Sequence, residues 1–164
     1  MTEKTVLVRN DGGMRFVVRT GSGHEVVLDN GEGDGGPRPT EMLAAALASC
    51  SAMDVASLLA KKRQVVTRYT IETRAQQRDE FPQVFTRVDL VHVVEGPSLD
   101  LVAVRRSIEL SATKYCPISA MISAGPTEVH HGYRVVDTSA VPPTTTEDEV
   151  MVTGPFAATD PLGR

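Results

Sequence analysis

Short apolar runs bounded by polar residues make residues 5–9 and 14–19 rich in strand formers, with Asp11-Gly12 as a turn dipeptide between them, and this pattern predicts an opening β-hairpin. Residues 24–29 predict a third strand. Apolar and polar positions alternate over 65–78 and 84–95, where the second stretch begins V-F-T-R-V-D-L-V-H-V-V, and DEFPQ at 79–83 supplies a turn. These two segments predict a pair of long antiparallel strands, and residues 127–136 predict a last one.

The helical pattern is confined to the middle of the chain. Residues 30–39, NGEGDGGPRP, hold no apolar residue to bury and predict a surface loop. A glycine-rich stretch before a helix can cradle phosphate, but no Lys-Ser/Thr pair follows and neither nucleotide fingerprint fits. From Thr40 to Gln64 the chain is rich in alanine and leucine without Gly or Pro, which predicts a helix capped by Thr40. Glu41 suits the positive end of its dipole, and Lys61, Lys62 and Arg63 suit the negative end. No charge occurs from Met42 to Met53, so the helix is expected to be covered on nearly every side, with Cys50 in the covered part.

Ser98 precedes a second helical stretch over 99–115, ending at Cys116-Pro117, and Pro117 suits the first position of a short helix over 118–123. The whole reads as α+β, with one domain at residues 1–137. Residues 138–164 carry four prolines and an acidic cluster, which predicts a flexible or loosely docked tail dispensable for folding.

Charge and composition narrow the function classes. Lys and Arg total 17 against 21 Asp and Glu, a formal charge of -4, with the basic residues scattered. Nucleic acid is therefore not an expected partner. No run of eighteen apolar residues and no basic-then-apolar leader pattern is seen, so a cytoplasmic protein without a membrane partner is expected. The four histidines offer no recognised zinc spacing, and His130 and His131, adjacent on a strand, point to opposite faces. No metal is expected.

Two cysteines in a cytosolic chain are either reactive or ordinary buried residues. Cys116 stands before Pro117 at a helix start, where free N–H groups, the dipole and nearby Lys114 should lower a thiol pKa. Cys50 has no such local feature.

Three segments, PTEMLAAALASCSAMDV at 39–55, FPQVFTRVDLVHVVEG at 81–96 and ELSATKYCPISAMIS at 109–123, read together resemble the OsmC/Ohr family, and the resemblance covers roughly residues 4–136. It implies an intertwined homodimer of two sheets, expected to be antiparallel, around central apolar helices, with active sites at the subunit interface. It also implies a peroxidase acting on organic hydroperoxides. Cys50 would attack the O–O bond and become a sulfenic acid, Cys116 would condense with it to a disulfide, and an external dithiol would reduce the pair, with no other cofactor.

The best-characterised members hold the nucleophile as thiolate with an Arg–Glu pair, the Glu lying ten residues before the cysteine. Here Thr40 has that spacing and Glu41 lies nine before, which on a straight helix is about 180° around and about 13 Å along. Glu41 and, among Arg15, Arg19 and Arg38, Arg15 are the candidates for the pair, beside the plainer readings of a first-turn acid and solvated arginines. The rival to the enzyme is a non-enzymatic binding module for an apolar small molecule, or a slow redox sensor, on the same fold.

Overall fold

A computed structural model describes residues 3–155 of the chain, which group into two compact units that meet in sequence between Leu43 and Ala44. The first is built on an antiparallel meander, β1 (Val6–Asn10), β2 (Phe16–Thr20) and β3 (Glu25–Leu28), in the order β1-β2-β3 with Val8 opposite Val18 and Val18 opposite Val26. Asn10 closes the first turn by accepting from the N–H of Gly12, whose φ of 102° favours glycine. On β1, Val6, Leu7 and Val8 are 61%, 66% and 56% exposed. Successive strand residues point to opposite faces, so β1 leaves apolar side chains uncovered on both.

After β3 the glycine-rich loop curls around the buried carboxylate of Asp29, which accepts from the N–H groups of Asn30 at 2.8 Å and Gly35 at 3.1 Å. Glycine is needed here: a Cβ on Gly33 would lie 2.5 Å from a carboxylate oxygen of Asp29. Helix α1 (Pro39–Lys61) then begins one residue earlier than the expected cap at Thr40. Pro39 takes the first helical position, where its missing N–H costs nothing, and the Glu41 carboxylate accepts from the N–H of Arg38 at 2.8 Å. The cap is the reciprocal acid at the third position, not the threonine.

The second unit continues α1 and adds β4 (Arg68–Gln77), β5 (Phe85–Gly96), α2 (Leu101–Leu110), a π turn (Ser111–Tyr115), α3 (Pro117–Ser123), β6 (Glu128–Asp137) and β7 (Thr144–Thr153). The strands form one sheet in the order β4-β5-β6-β7. The α+β reading holds, but this sheet is not wholly antiparallel, because β5 and β6 run parallel. A parallel pair needs a long crossover, and α2, the π turn and α3 are that crossover. Helix α2 is capped by Asp100, which accepts from the N–H of Val102, rather than by Ser98.

The expected flexible tail fails for residues 144–153. They form β7, paired antiparallel with β6, and residues 156–164 lie outside the described residues. The strand was hard to read because Thr144 to Glu149 are all exposed and carry no apolar alternation. Its hold comes from the backbone ladder, from Val150 in the core, and from Arg105 and Arg134 pairing with Asp148 and Glu147.

Two apolar clusters fill the second unit: Val55, Leu59, Val104, Ile108 and Val135 are in one, and Leu47, Val88, Leu90, Val129 and Cys116 in the other. Only a stripe of α1 is buried, Leu47, Ser51, Val55 and Leu59 at i, i+4 spacing, while Leu43 and Met53 are exposed. Among the described residues the cover expected on nearly every side is not found. With a mean hydropathy of 1.7 over its most apolar eighteen residues, α1 is also long and apolar enough to cross a membrane by length and composition.

His92 and His131 are both fully buried on the inner face of the sheet, His131 opposite Leu90 and so diagonal to His92. Burial, and then the neighbouring His131, pushes His92 down to about 3; burial and His130 push His131 down to about 4. Both are neutral in the folded chain at neutral pH.

Truncation after Asp137 removes β7, uncovers the β6 edge and opens the cluster around Val150; the expected result is a melting temperature lower by several degrees with increased aggregation, measured by thermal denaturation. The histidines set an acid limit. Unfolded chains would protonate both near pH 6.5 and the native chain would not, so stability is full above that pH and falls as pH drops toward 4, by at most about 1.4 kcal/mol per unit for each histidine. Urea unfolding at several pH values reads the slope.

Candidate functional site

Cys50 lies on α1 beside the buried stripe and is half-buried, and Asp54 follows it by one helical turn. Cys116 comes from the crossover between β5 and β6, at the end of the π turn. The π turn takes one residue more per turn than an α-helix, and the N–H of Cys116 donates to the carbonyl of Ser111, five residues back, at 2.9 Å. There the backbone turns extended, and Cys116 becomes the N-cap of α3 with Pro117 at the next position, as its sequence predicts. The Sγ atoms of Cys50 and Cys116 and a carboxylate oxygen of Asp54 all lie within 4.8 Å of one another. Both thiols are free.

The electrostatics of Cys116 correct the sequence reading. The N–H groups of Ser119, at 3.3 Å from Sγ, and of Ile118 do favour its thiolate. Burial and the hydrogen bond to Cys50 outweigh them, and the thiol is pushed up to about 12. Only 3% of Cys116 is exposed, and a short helix cannot replace the lost hydration. Lys114 does not serve as its counter-charge; its ammonium stands over the Tyr115 ring, 5.5 Å from the centroid.

A file of polar side chains leads away from the thiols through the core. Ser111 Oγ is 3.2 Å from Asp54 Oδ2 and 3.1 Å from Ser51 Oγ; Ser51 Oγ is 3.4 Å from His92 Nε2; Tyr69 OH is 2.6 Å from His92 Nδ1. Its proton order follows from the acceptor at its end. Asp54, as a carboxylate, can only accept, so the Ser111 hydroxyl donates to it. That uses the one proton of Ser111, and Ser51 must donate to Ser111. Nε2 of His92 must then carry a proton and donate to Ser51. Since His92 is neutral, its Nδ1 is bare and accepts from Tyr69, so all four hydrogen bonds run from Tyr69 toward Asp54. Burial first, and then Asp54, raises the pKa of Tyr69, which keeps it a donor.

These five residues were not singled out by the sequence, although one signal was present. Asp54 is the first charge after the uncharged stretch of α1 and falls one turn after Cys50. His92 sits in the alternating run of β5 on the face that turned out to be buried. His130 and His131 do point to opposite faces: His130 bonds Glu128 and Glu149, while His131 Nε2 meets Thr153 Oγ1 at 3.3 Å.

Glu41 and Arg15 belong to the first unit, where each has a partner. The Arg38 backbone N–H, with its guanidinium 3.1 Å away, holds the Glu41 carboxyl below its usual range, and Arg15 lies 3.4 Å from Asp11. Among the described residues no other trio of Cys, His, Asp and Glu ligand atoms lies as close as that of Cys50, Cys116 and Asp54, and this one lacks the fourth donor of a closed structural zinc site.

Residues 31–131 match the family model of OsmC-like proteins. Protein YhfA of Escherichia coli K12 is 38% identical over 124 residues, 76% of this chain and 92% of YhfA. A hypothetical protein of Aquifex aeolicus superposes with a TM-score of 0.72 at 26% identity, covering 82% of this chain and 97% of that one. The organic hydroperoxide resistance protein OsmC of Legionella pneumophila superposes with a TM-score of 0.58 at 20% identity, over 80% and 96%. On the strength of the family match and the YhfA likeness, this chain belongs to the OsmC family.

Proposed function

We propose that this protein is a thiol-dependent peroxidase that reduces organic hydroperoxides through Cys50 and Cys116. The observation that carries the reading is the approach of two free thiols, one half-buried and one buried, in an apolar cluster. Their exposure assigns the roles. Cys50, the more accessible, meets the peroxide, and its thiolate sulfur takes the distal oxygen while the O–O bond breaks and the alcohol leaves. Cys116 attacks the sulfenic acid, the S–S bond forms and water leaves. An external dithiol restores both thiols by exchange, and no metal or organic cofactor takes part.

The surroundings favour an organic peroxide: Ala48, Ile71, Ile118 and Ile122 pack with the two cysteines into one cluster. Similar solved structures include proteins named for organic hydroperoxide resistance, from Legionella pneumophila and Bacillus subtilis. Glu41 lies nine residues before Cys50 on the unbroken α1, on the opposite side of the helix, and is held by Arg38 as Arg15 is by Asp11, so the proposal gives neither the role of activating Cys50.

A homodimer completes the proposal. One chain leaves the uncharged side of α1 and both faces of β1 uncovered, more apolar surface than a soluble monomer carries, and a second copy offers the matching surface. A helix as apolar as α1 suits such a buried subunit interface, and the proposal places the protein in the cytoplasm.

Cys50→Ser is expected to abolish peroxide consumption, because a hydroxyl cannot supply the anionic nucleophile; Cys116→Ser is expected to give one turnover and then stop with a sulfenic acid trapped. Thiol counting after rapid mixing with cumene hydroperoxide reads both, and full turnover by either variant rejects the assignment. The melting temperature is expected to rise with protein concentration, and sedimentation showing a stable folded monomer at micromolar concentration contradicts the dimer.

A further inference from the structure

The Cys50/Cys116 chemistry leaves one side chain at the site unused. Asp54 is neither an ion-pair partner nor a surface acid; its carboxylate faces both sulfurs and is held from behind by the Ser111 hydroxyl. We propose that Asp54 is the proton acceptor that lets Cys116 act as a nucleophile, and that the file from Tyr69 through His92, Ser51 and Ser111 aims and anchors its carboxylate. This deepens the reading of the site as a Cys50/Cys116 redox pair and rests on it.

Three observations converge. The first is geometry: Asp54 stands one turn after Cys50 on α1, so the carboxylate, the sulfur that is attacked and the sulfur that attacks form one triangle. The second is need. Burial keeps the Cys116 sulfur a protonated thiol, so rapid attack requires its proton to leave as the new bond forms. The third is orientation, since every hydrogen bond in the file points at Asp54 and fixes its carboxylate beside the two sulfurs. The groups that face Asp54 are Cys50 on its own helix, Ser111 and Cys116 at the two ends of the π turn, and through the file His92 on β5 and Tyr69 on β4. None of these is a cation able to hold a thiolate in its place.

The step balances without another reagent. As the Cys116 sulfur bonds to the Cys50 sulfur, its proton passes to Asp54, and the oxygen of the sulfenic acid leaves with the S–O electron pair. Asp54 returns the proton to that oxygen, which departs as water. In the reverse direction, when a dithiol opens the disulfide, Asp54 takes the proton of the attacking thiol and passes it to the Cys116 sulfur as that sulfur leaves.

The test needs no peroxide. The reduced protein is mixed with 5,5′-dithiobis(2-nitrobenzoic acid). Cys50 releases one nitrothiobenzoate and carries the other as a mixed disulfide, and Cys116 then expels the second in a first-order phase seen by absorbance. With Asp54 as acceptor, that second phase in the unaltered protein is nearly flat between about pH 6 and pH 8, whereas a thiol that must ionise to solvent gives about tenfold per pH unit. Asp54→Asn is expected to slow it about a hundredfold and restore the steep slope. A second phase that is already steep in the unaltered protein, or that never occurs, overturns the proposal without any variant. So does Asp54→Asn closing at the unaltered rate with the flat profile. A flat, Asp54-dependent closure in a protein that fails to turn over cumene hydroperoxide would reject the peroxidase reading and leave Asp54 in its role.

Discussion

One carboxylate sets the polar structure of an otherwise apolar core. The inner face of the sheet and the stripe of α1 are built of Val, Leu and Ile, yet Tyr69, His92, Ser51 and Ser111 thread through them in a single file. Each of these groups would cost about 1–3 kcal/mol if buried without a partner. They are tolerated because the charge of Asp54 fixes the direction of the first bond, and each later bond has then only one solution. The tautomer of His92 is thus decided three residues away from it along the file. That dependence also ties the elements together, for the file joins α1, β4, β5 and the π turn, and no element can shift without breaking a link.

The burial that creates the file also decides the character of the two cysteines. An exposed thiol at a helix N-terminus would have been acidified by the free N–H groups, which is what the Cys-Pro motif suggests on its own. Only 3% exposed, the same thiol loses more from desolvation than two N–H groups return. Cys50 differs through its position at the edge of the buried stripe. The asymmetry between an accessible and an inaccessible sulfur comes from packing, and the proposed division of labour between them needs no different chemistry in either.

Much of the fold was legible because local pattern and tertiary burial agreed. The strands at 84–95 and 127–136 lie within a residue or two of their sequence bounds, since their alternation matches the pleat. What was missed lay where a long-range partner supplies the reason. Strand β7 shows six exposed polar residues in a row, and only the backbone of β6 makes it a strand. The cap of α1 was assigned to Thr40 because hydroxyl caps are common, whereas the reciprocal Glu41 bond to Arg38 depends on Pro39 opening the helix. The approach of Cys50 to Cys116 was implied by family likeness alone. Asp54 was visible as a residue but not as part of the site, because nothing in one sequence says that Ser111 will be brought to it.

The π turn deserves to be read as a measure of angle. Between Ile108 and Cys116 the chain departs from α-helical winding for one turn, and that turn determines the bearing at which the buried sulfur leaves the helix axis. In an α-helix one residue is worth about 100° of rotation. The segment Ser111–Tyr115 therefore works as a vernier: its residue count, more than the identity of its side chains, selects the compass point of Cys116. Relatives that gain or lose a single residue here would keep both cysteines in their sequences and yet send the second one to face a different wall of the core.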